Sequence, residues 1–447
     1  MSSPSELIRA LLHKPVSPEG GLASRLHVFA PPDVSDSPLH WRRVAALLLQ
    51  VVVLAGGVAF YCRGFLDLGT TRYLPGAEGE IFQTLDWTLF HSFREHQVFP
   101  LWNPFLDTGM PFTADPMLHA YNPLVTLPVL AFGVLNGFKV ALALSFFAAA
   151  LGMWYLAGVL GMGWIARLWC GLLFAFAGQP TARFLQGQYL FVFGFAWIPW
   201  AFAFLIQALR TRRRWPAALA VLSLAMVFFS GNDYYSFYML LAGLLLAAAY
   251  LFHTGRVRPY LRLDIPRVKV LALIGVVSLG IIAVQLLPLA EFLPRIAKSN
   301  EVHGSHTPLQ VLLDYTSKDR SRPDAFTDLP ASEEFYAYLG VGPLLALALV
   351  PLAWRRRERR ALVFFGLLLG LTLLWVGLDF LPWGDWLART RLLGQFRHLL
   401  RILILGNVAI VVLAGSGLDA LVAWLCSRDS GRLAVLLARV EIGRAHV

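Results

Sequence analysis

Long apolar stretches recur along this sequence, and nearly every second junction between them is rich in arginine. Three of these junctions are dense in basic residues: Arg210–Arg214, Arg256–Lys269 and Arg355–Arg360. A helix needs roughly 20 apolar residues to cross a bilayer core about 30 Å thick, and short arginine-rich loops remain on the cytoplasmic side. The pattern therefore predicts an all-α polytopic membrane protein whose dense arginine clusters face the cytoplasm.

Composition supports the membrane class and argues against other functions. Of the 447 residues, 57% are hydrophobic and only 15% are charged, and a soluble chain this apolar could not cover its surface. The net charge of +11 would suggest nucleic acid in a soluble protein. Here the arginines lie mainly at predicted helix ends, so membrane topology explains the excess and we expect no nucleic-acid partner.

The apolar pattern divides the chain into a few segments. We expect a cytoplasmic N-terminal segment at residues 1–43, a transmembrane domain at 44–425 and a cytoplasmic segment at 426–440. Residues 441–447 resemble translated sequencing adapter, so a truncation near Val440 is expected. About ten membrane-spanning helices are predicted: Val44–Phe65, Gly137–Leu160, Leu168–Leu185, Tyr189–Leu209, Trp215–Ser230, Tyr234–Phe252, Val270–Phe292, Tyr336–Trp354, Ala361–Phe380 and Leu399–Leu425.

Three loops are then expected on the outer face: Leu66–Asn122, Leu293–Phe335 and Leu381–His398. The first is long and rich in aromatic residues and proline, and its Thr84–Glu95 part has the pattern of an amphipathic helix at the membrane interface. The apolar segment Pro123–Leu135 that follows is too short to span a bilayer. We expect it to lie in the interface or to re-enter the membrane.

The first loop carries the carboxylates best placed for chemistry, Glu78, Glu80 and Asp86. A carboxylate among aromatic residues near a membrane surface can serve as a general base. The same residues could be solvated loop charges or helix N-caps, which are common roles for Asp and Glu. Spacing alone leaves both interpretations open.

The third loop is expected on the outer face, yet it has basic residues in it and beside it, whereas arginine-rich loops usually remain in the cytoplasm. These residues are Arg389, Arg391, Arg397 and Arg401. Arginine forms paired hydrogen bonds to phosphate, and lipid phosphates lie at this depth. Arginines at helix ends can also simply extend to the headgroups. Arg401 is the most informative of the four, because it lies at the start of a predicted span, where a charge is costly.

The second loop contains a histidine pair, His303-x-x-His306. Such a pair could suggest a metal, but no carboxylate pattern accompanies it. We therefore interpret it as part of a polar loop and predict no metal ligands from the sequence.

Several segments resemble YfhO-type bacterial membrane proteins, which are grouped with the GT-C glycosyltransferases. The resemblance covers residues from about 44 to 425, and it rests on the order and placement of the motifs. The matching segments are Gly79-Glu80-x-x-Gln83, Phe99–Pro104, Gly109-x-Pro111, Tyr121–Pro123, Phe174–Gly178, Gln285–Glu291, Phe335–Pro343, Phe396–Arg401 and Val412–Asp419.

The resemblance implies a site and a donor. GT-C enzymes use a lipid-phosphate-linked sugar on the outer face, an acidic first-loop residue as base, and basic residues that hold the phosphate. By position Glu80 matches the acidic residue, with Glu78 and Asp86 as alternatives, and Arg397 and Arg401 match the basic pair. Some members use a divalent metal, so one is possible here.

The sequence thus suggests a glycosyltransferase of the bacterial inner membrane with a periplasmic active face. It would move a sugar from a polyprenyl-phosphate donor to a cell-envelope glycan or polymer. The alternatives are a transporter or flippase of a lipid-linked glycan and a non-catalytic envelope-assembly protein. A transporter would more often show broken helices around a site in the middle of the membrane, whereas the polar residues here concentrate in predicted outer loops.

Overall fold

The computed structural model is predominantly helical, as the apolar pattern predicts. It describes residues 38–69, 73–74, 76, 78–106, 108–254, 261–295, 307–316, 337–354, 359–378, 396 and 398–428. Within these ranges seven helical segments are long and apolar enough to cross a membrane. The chain is therefore an all-α, multi-pass membrane protein. The segments are Val44–Cys62, Pro123–Val159, Tyr189–Thr211, Asp233–Leu251, Ile265–Arg295, Arg359–Val376 and Leu399–Leu425.

Fifteen α-helices and two short hairpins are described. The helices are α1 (Pro38–Cys62), α2 (Gly79–His91), α3 (Pro123–Val159), α4 (Trp164–Ala175), α5 (Gly178–Leu185), α6 (Tyr189–Phe195), α7 (Ile198–Thr211), α8 (Arg214–Phe228), α9 (Asp233–Leu251), α10 (Ile265–Phe292), α11 (Pro308–Thr316), α12 (Val341–Ala346), α13 (Val350–Ala353), α14 (Arg359–Val376) and α15 (Leu403–Arg428). Strand β1 (Trp102–Asn103) pairs antiparallel with β2 (Met110–Pro111), and β3 (Phe252–Thr254) with β4 (Leu261–Leu263).

The chain divides into two compact units. The larger, Leu54–Asp419, contains α2 to α14, the C-terminal part of α1 and most of α15. The smaller comprises Met1–Val53 and Ala420–Val447, of which the structure describes the N-terminal part of α1 and the end of α15. Within this part of α1, the Gln50 side-chain amide donates to the Ala46 carbonyl at 3.1 Å.

Two predicted segments join into one helical run. Residues Pro123–Leu135 and nearly all of the predicted span Gly137–Leu160 belong to α3, which ends at Val159 and is interrupted at Gly133. This glycine has φ 77° and ψ 171°, a conformation that residues with a side chain rarely adopt. The kink therefore lies near the end of the short segment, whose expected place in the interface or as a re-entrant segment stays a prediction.

The prediction of one continuous helix over Leu168–Leu185 is wrong. Helix α4 ends at Ala175 and α5 begins at Gly178, because Ala177 takes an extended ψ of 146°. The backbone N–H of Gly178 donates to the Tyr338 carbonyl at 2.7 Å instead of continuing a helical ladder. A tertiary contact distant in sequence thus interrupts an apolar run.

The predicted span Tyr336–Trp354 is also discontinuous. A 3₁₀ turn, Leu347–Leu349, separates α12 from α13. Pro351 has no N–H to donate to the carbonyl four residues earlier, so a regular α-helix cannot continue through this position without losing a bond. Val341–Ala353 and α8 are apolar helical segments shorter than the seven long ones, so the predicted number of ten spans stays a prediction.

The interior of the larger unit is built around α3, which packs against α2, α4, α6 and α7. Small residues permit close approach at these crossings. At Gly152 a Cβ atom would lie 2.7 Å from the indole nitrogen of Trp200 in α7. That indole donates to the Ala148 carbonyl at 2.9 Å, so the α3–α7 contact combines close packing with a partly buried hydrogen bond.

Candidate functional site

The first turn of α2 carries Glu78 and Glu80, and a contact between two glycines positions it. Gly76 and Gly187 both have positive φ, of 100° and 82°. A Cβ on Gly76 would collide with the Gly187 amide nitrogen, so only glycine allows the two backbones to meet. The contact holds the start of α2 against residues 186–188, which connect α5 and α6.

Glu78 is the exposed end of a series of hydrogen-bonded polar side chains at this contact. The Gln188 side-chain amide donates to Glu78 Oε1 at 2.8 Å. The Arg183 guanidinium in turn donates to Gln188 Oε1. Arg183 is 0% exposed, and a buried charge needs hydrogen-bonded partners to be tolerated. The chain therefore joins an exposed carboxylate to a fully buried guanidinium.

Arg183 and Arg401 contact the same aromatic ring. Their guanidinium carbons lie 4.5 Å and 4.9 Å from the Phe191 ring centroid, and Arg401 also lies 4.3 Å from the Tyr234 centroid. Cations at these distances are attracted by aromatic faces. We call Arg183, Arg401, Phe191 and Tyr234 the arginine cluster; it concentrates positive charge beside the polar chain that ends at Glu78.

The segment before α15 places Arg401 by aromatic packing and one hydrogen bond. Phe396 stacks on Phe237 of α9 with ring centroids 3.9 Å apart. The Tyr238 hydroxyl donates to the His398 carbonyl at 3.3 Å. The 3₁₀ turn Leu399–Ile402 follows, and it contains Arg401. Arg401 is thus held at the start of a long apolar helix, where a charge calls for a specific role.

Glu80 lines a groove of about 690 Å³ between α2, the β1–β2 region and the kink of α3. Aromatic side chains and a few polar groups form its walls, which is typical of sites for small molecules. The lining residues are Glu80, Gln83, Thr84, Trp87, Phe90, Phe105, Phe132, Gly133, Val134, Leu135 and Asn136. Because the Gly133 kink supplies one wall, the break in α3 helps to form the groove.

Asp86 lies in a different environment from the two glutamates. It is 1% exposed and its Oδ2 accepts a hydrogen bond from His119 Nε2 at 2.6 Å. Burial lowers the pKa of His119, but the charge and hydrogen bond of Asp86 and the Met117 carbonyl outweigh it and leave this pKa raised. The protonated histidine can donate from both ring nitrogens, so Asp86 forms a sealed ion pair that ties α2 to the loop before α3.

The predicted site residues are only partly brought together. Arg401 does not line the groove that Glu80 lines. Sugar transfer with Glu80 as base and Arg401 as phosphate ligand calls for one cavity shared by both side chains, and this groove is not that cavity. The carboxylate that connects toward the arginine cluster is that of Glu78. Glu80 lies two residues farther along the same turn. The other predicted phosphate ligands, Arg389, Arg391 and Arg397, lie outside the described residues.

Sequence reasoning missed Arg183 and Gln188. Arg183 lies inside the predicted span Leu168–Leu185, where an ionised side chain is costly and usually functional, so the signal was present. Gln188 gave no comparable signal, because its role depends on the approach of Gly76 to Gly187. Together the two residues connect Glu78 to the Phe191 ring, which Arg401 also contacts.

The chain matches no protein-family model, and comparison with curated protein sequences gives no significant match. The likeness to YfhO-type proteins therefore rests on the motifs given above. The functional argument rests on the geometry of the Glu78–Glu80 turn, the groove and the arginine cluster.

Proposed function

We propose that this protein is a GT-C-like glycosyltransferase of the bacterial inner membrane, acting on the periplasmic face. It would transfer a sugar from a polyprenyl-phosphate donor to a cell-envelope glycan or polymer. The observation that carries the proposal is the connection between the Glu78–Glu80 turn and the arginine cluster through Gln188. Sugar transfer from a phosphate requires a proton acceptor and cations that bind the leaving anion, and the Glu78–Gln188–Arg183 hydrogen bonds with the Phe191 ring shared by Arg183 and Arg401 support that combination.

The two arginines have different tasks in this proposal, because their burial differs. Arg401 is half-buried and binds the donor phosphate directly, with charge-assisted hydrogen bonds that strengthen as charge develops on the leaving group. Arg183 is fully buried and donates to Gln188, so it positions Gln188 and Glu78. Arg389, Arg391 and Arg397 are proposed as additional phosphate ligands on the strength of the sequence alone.

Glu80 is the proposed base. Its side chain is exposed and lines the groove, so an acceptor hydroxyl bound there can come within hydrogen-bonding reach of the carboxylate. Glu78 accepts a hydrogen bond from Gln188 and is better placed to hold the turn in position. Asp86 is the weakest of the three candidates, because its carboxylate is sealed against His119.

The test is Glu80→Gln in the full-length protein reconstituted in nanodiscs. A panel of synthetic polyprenyl-phosphate hexoses and pentoses is supplied with cell-envelope glycan, and release of polyprenyl phosphate is measured. Loss of the base is expected to lower the rate by about 10²- to 10⁴-fold, while donor binding survives. Glu291→Gln is the matched control, since Glu291 is an exposed carboxylate at the end of α10 and does not line the groove. Near-normal turnover by Glu80→Gln would refute the assignment.

The discontinuous helices favour one second candidate, a transporter or flippase of a lipid-linked glycan. Many membrane transporters bind their substrates beside interrupted helices. Helix α5, which directly follows the break at residues 176–177, contains the fully buried Arg183. A flippase needs no general base. Translocation of a labelled lipid-linked glycan that persists in Glu80→Gln vesicles, without release of polyprenyl phosphate, would support the flippase over the transferase.

A further inference from the structure

Three side chains with metal-ligand chemistry meet at the C-terminal end of α2. They are His91, Glu95 and His96, and their ligand atoms all lie within 4.8 Å of one another. His91 Nδ1 and Glu95 Oε1 are 3.2 Å apart. An ordinary ion pair four residues apart on a helix accounts for His91 and Glu95, but not for the convergence of His96 on both.

A local change of helix type produces this convergence. In a regular α-helix of 3.6 residues per turn, the residue five positions along points away from the first. Here α2 is followed by a π-helical turn, Ser92–His96. A π-turn closes hydrogen bonds five residues apart and often marks a functional site, so it brings His96 round to the side of His91 while Glu95 stays close.

We propose that His91, Glu95 and His96 bind a divalent transition-metal ion of the zinc class. Two imidazoles and one carboxylate are the donor set that such ions favour, and three protein ligands leave one position open for water or another oxygen. Ligands about 2.1 Å from a tetrahedral ion are roughly 3.4 Å apart. The 3.2 Å separation of His91 Nδ1 and Glu95 Oε1 fits that edge, and small rotations of exposed side chains bring His96 to it.

Aromatic packing orients the His91 ligand in advance. The Trp87 ring stacks on the His91 ring, with centroids 6.0 Å apart and planes at 16°. The Phe105 ring meets the same imidazole edge-on, at 6.4 Å and 81°. Neighbours that fix a ligand's orientation raise metal affinity. Because Trp87 and Phe105 also line the groove, the metal would lie at its rim, with its open position available to an oxygen of a bound molecule.

The experiment uses the full-length protein in nanodiscs, stripped of metal with a chelator and titrated with Zn²⁺ by calorimetry. One ion per chain is expected. Co²⁺ substitution should give the intense visible absorption bands of a tetrahedral site. His96→Ala and His91→Ala should each weaken binding by more than the roughly 10- to 100-fold that loss of an outer-shell partner costs. Glu95→Gln should weaken it as well, because it removes the anionic ligand.

The histidine pair in the second long loop provides the matched control. The double variant His303→Ala/His306→Ala removes the other closely spaced histidines and should bind Zn²⁺ like the wild type. Absence of Zn²⁺ binding by the wild-type protein at micromolar concentration would overturn the proposal, and so would binding that survives His91→Ala and His96→Ala but is lost in the double variant. Circular dichroism of each variant separates ligand loss from unfolding, and binding is measured without any assay of sugar transfer.

Discussion

Two acidic residues, Asp86 within α2 and Glu78 at its N-cap, are held in different ways. Asp86 and its partner His119 are both 1% exposed and lie 2.6 Å apart, and the buried carboxylate of Asp115 adds negative charge near the histidine. Glu78 is exposed and connects through Gln188 to buried Arg183, which shares the Phe191 ring with Arg401. A pair that is sealed from solvent stabilises a fold. A network that is open at one end and positively charged at the other can take up an anion.

Removing the acid from the sealed pair should have the largest effect on stability. Asp86→Asn leaves a buried histidine without its counter-charge, and breaking a buried ion pair costs about 3–5 kcal/mol of unfolding free energy. Glu78→Gln keeps an acceptor for Gln188 at an exposed position, so its cost should stay below about 1 kcal/mol. Denaturation in detergent, followed by circular dichroism, measures both. Equal losses of unfolding free energy in the two variants would contradict the distinction between a sealed pair and an open network.

Arg401 tests the positively charged end of the network. Arg401→Ala removes the proposed phosphate ligand and should lower the rate of transfer by about 10²- to 10³-fold, the range seen when one donor to a developing anion is lost. Donor affinity should fall as well, because the phosphate is bound before it leaves. Arg401→Lys should recover part of both, since it keeps the charge and loses the paired geometry.

The control for Arg401→Ala is the same substitution at an arginine outside the arginine cluster. Arg213 is an exposed residue in the Arg210–Arg214 segment between α7 and α8, and Arg213→Ala is expected to leave transfer and donor affinity unchanged. Full donor affinity in Arg401→Ala would show that the cluster is structural, like the Asp86 pair.

The membrane class could be predicted from the sequence, whereas the connections between the candidate site residues could not. Apolar length and arginine spacing are local properties, so most long helices could be read from the chain, and Glu80 and Arg401 stood out by type and position. The break at residues 176–177 could not be read from the chain, because it depends on the Gly178–Tyr338 bond. The break at residues 347–349 lies beside Pro351, a local signal that the prediction of a continuous apolar span passed over. The link through Gln188 depends on two glycines that are distant in sequence.

The pH dependence of stability offers the smallest and most selective test. The pKa of His119 is raised in the folded protein, so the protonated pair stabilises the fold fully below the unfolded pKa of about 6.5. That contribution is lost as pH rises through the higher folded value. Unfolding free energy should therefore decline between near-neutral and alkaline pH, by about 1.4 kcal/mol for every pH unit that separates the folded pKa from the unfolded one. Asp86→Asn/His119→Gln removes the titrating histidine together with its partner carboxylate and should flatten this part of the profile, whereas Glu78→Gln should leave it intact. A decline that persists unchanged in the double variant would show that other groups govern the alkaline limb and that His119 is not charged in the sealed pair.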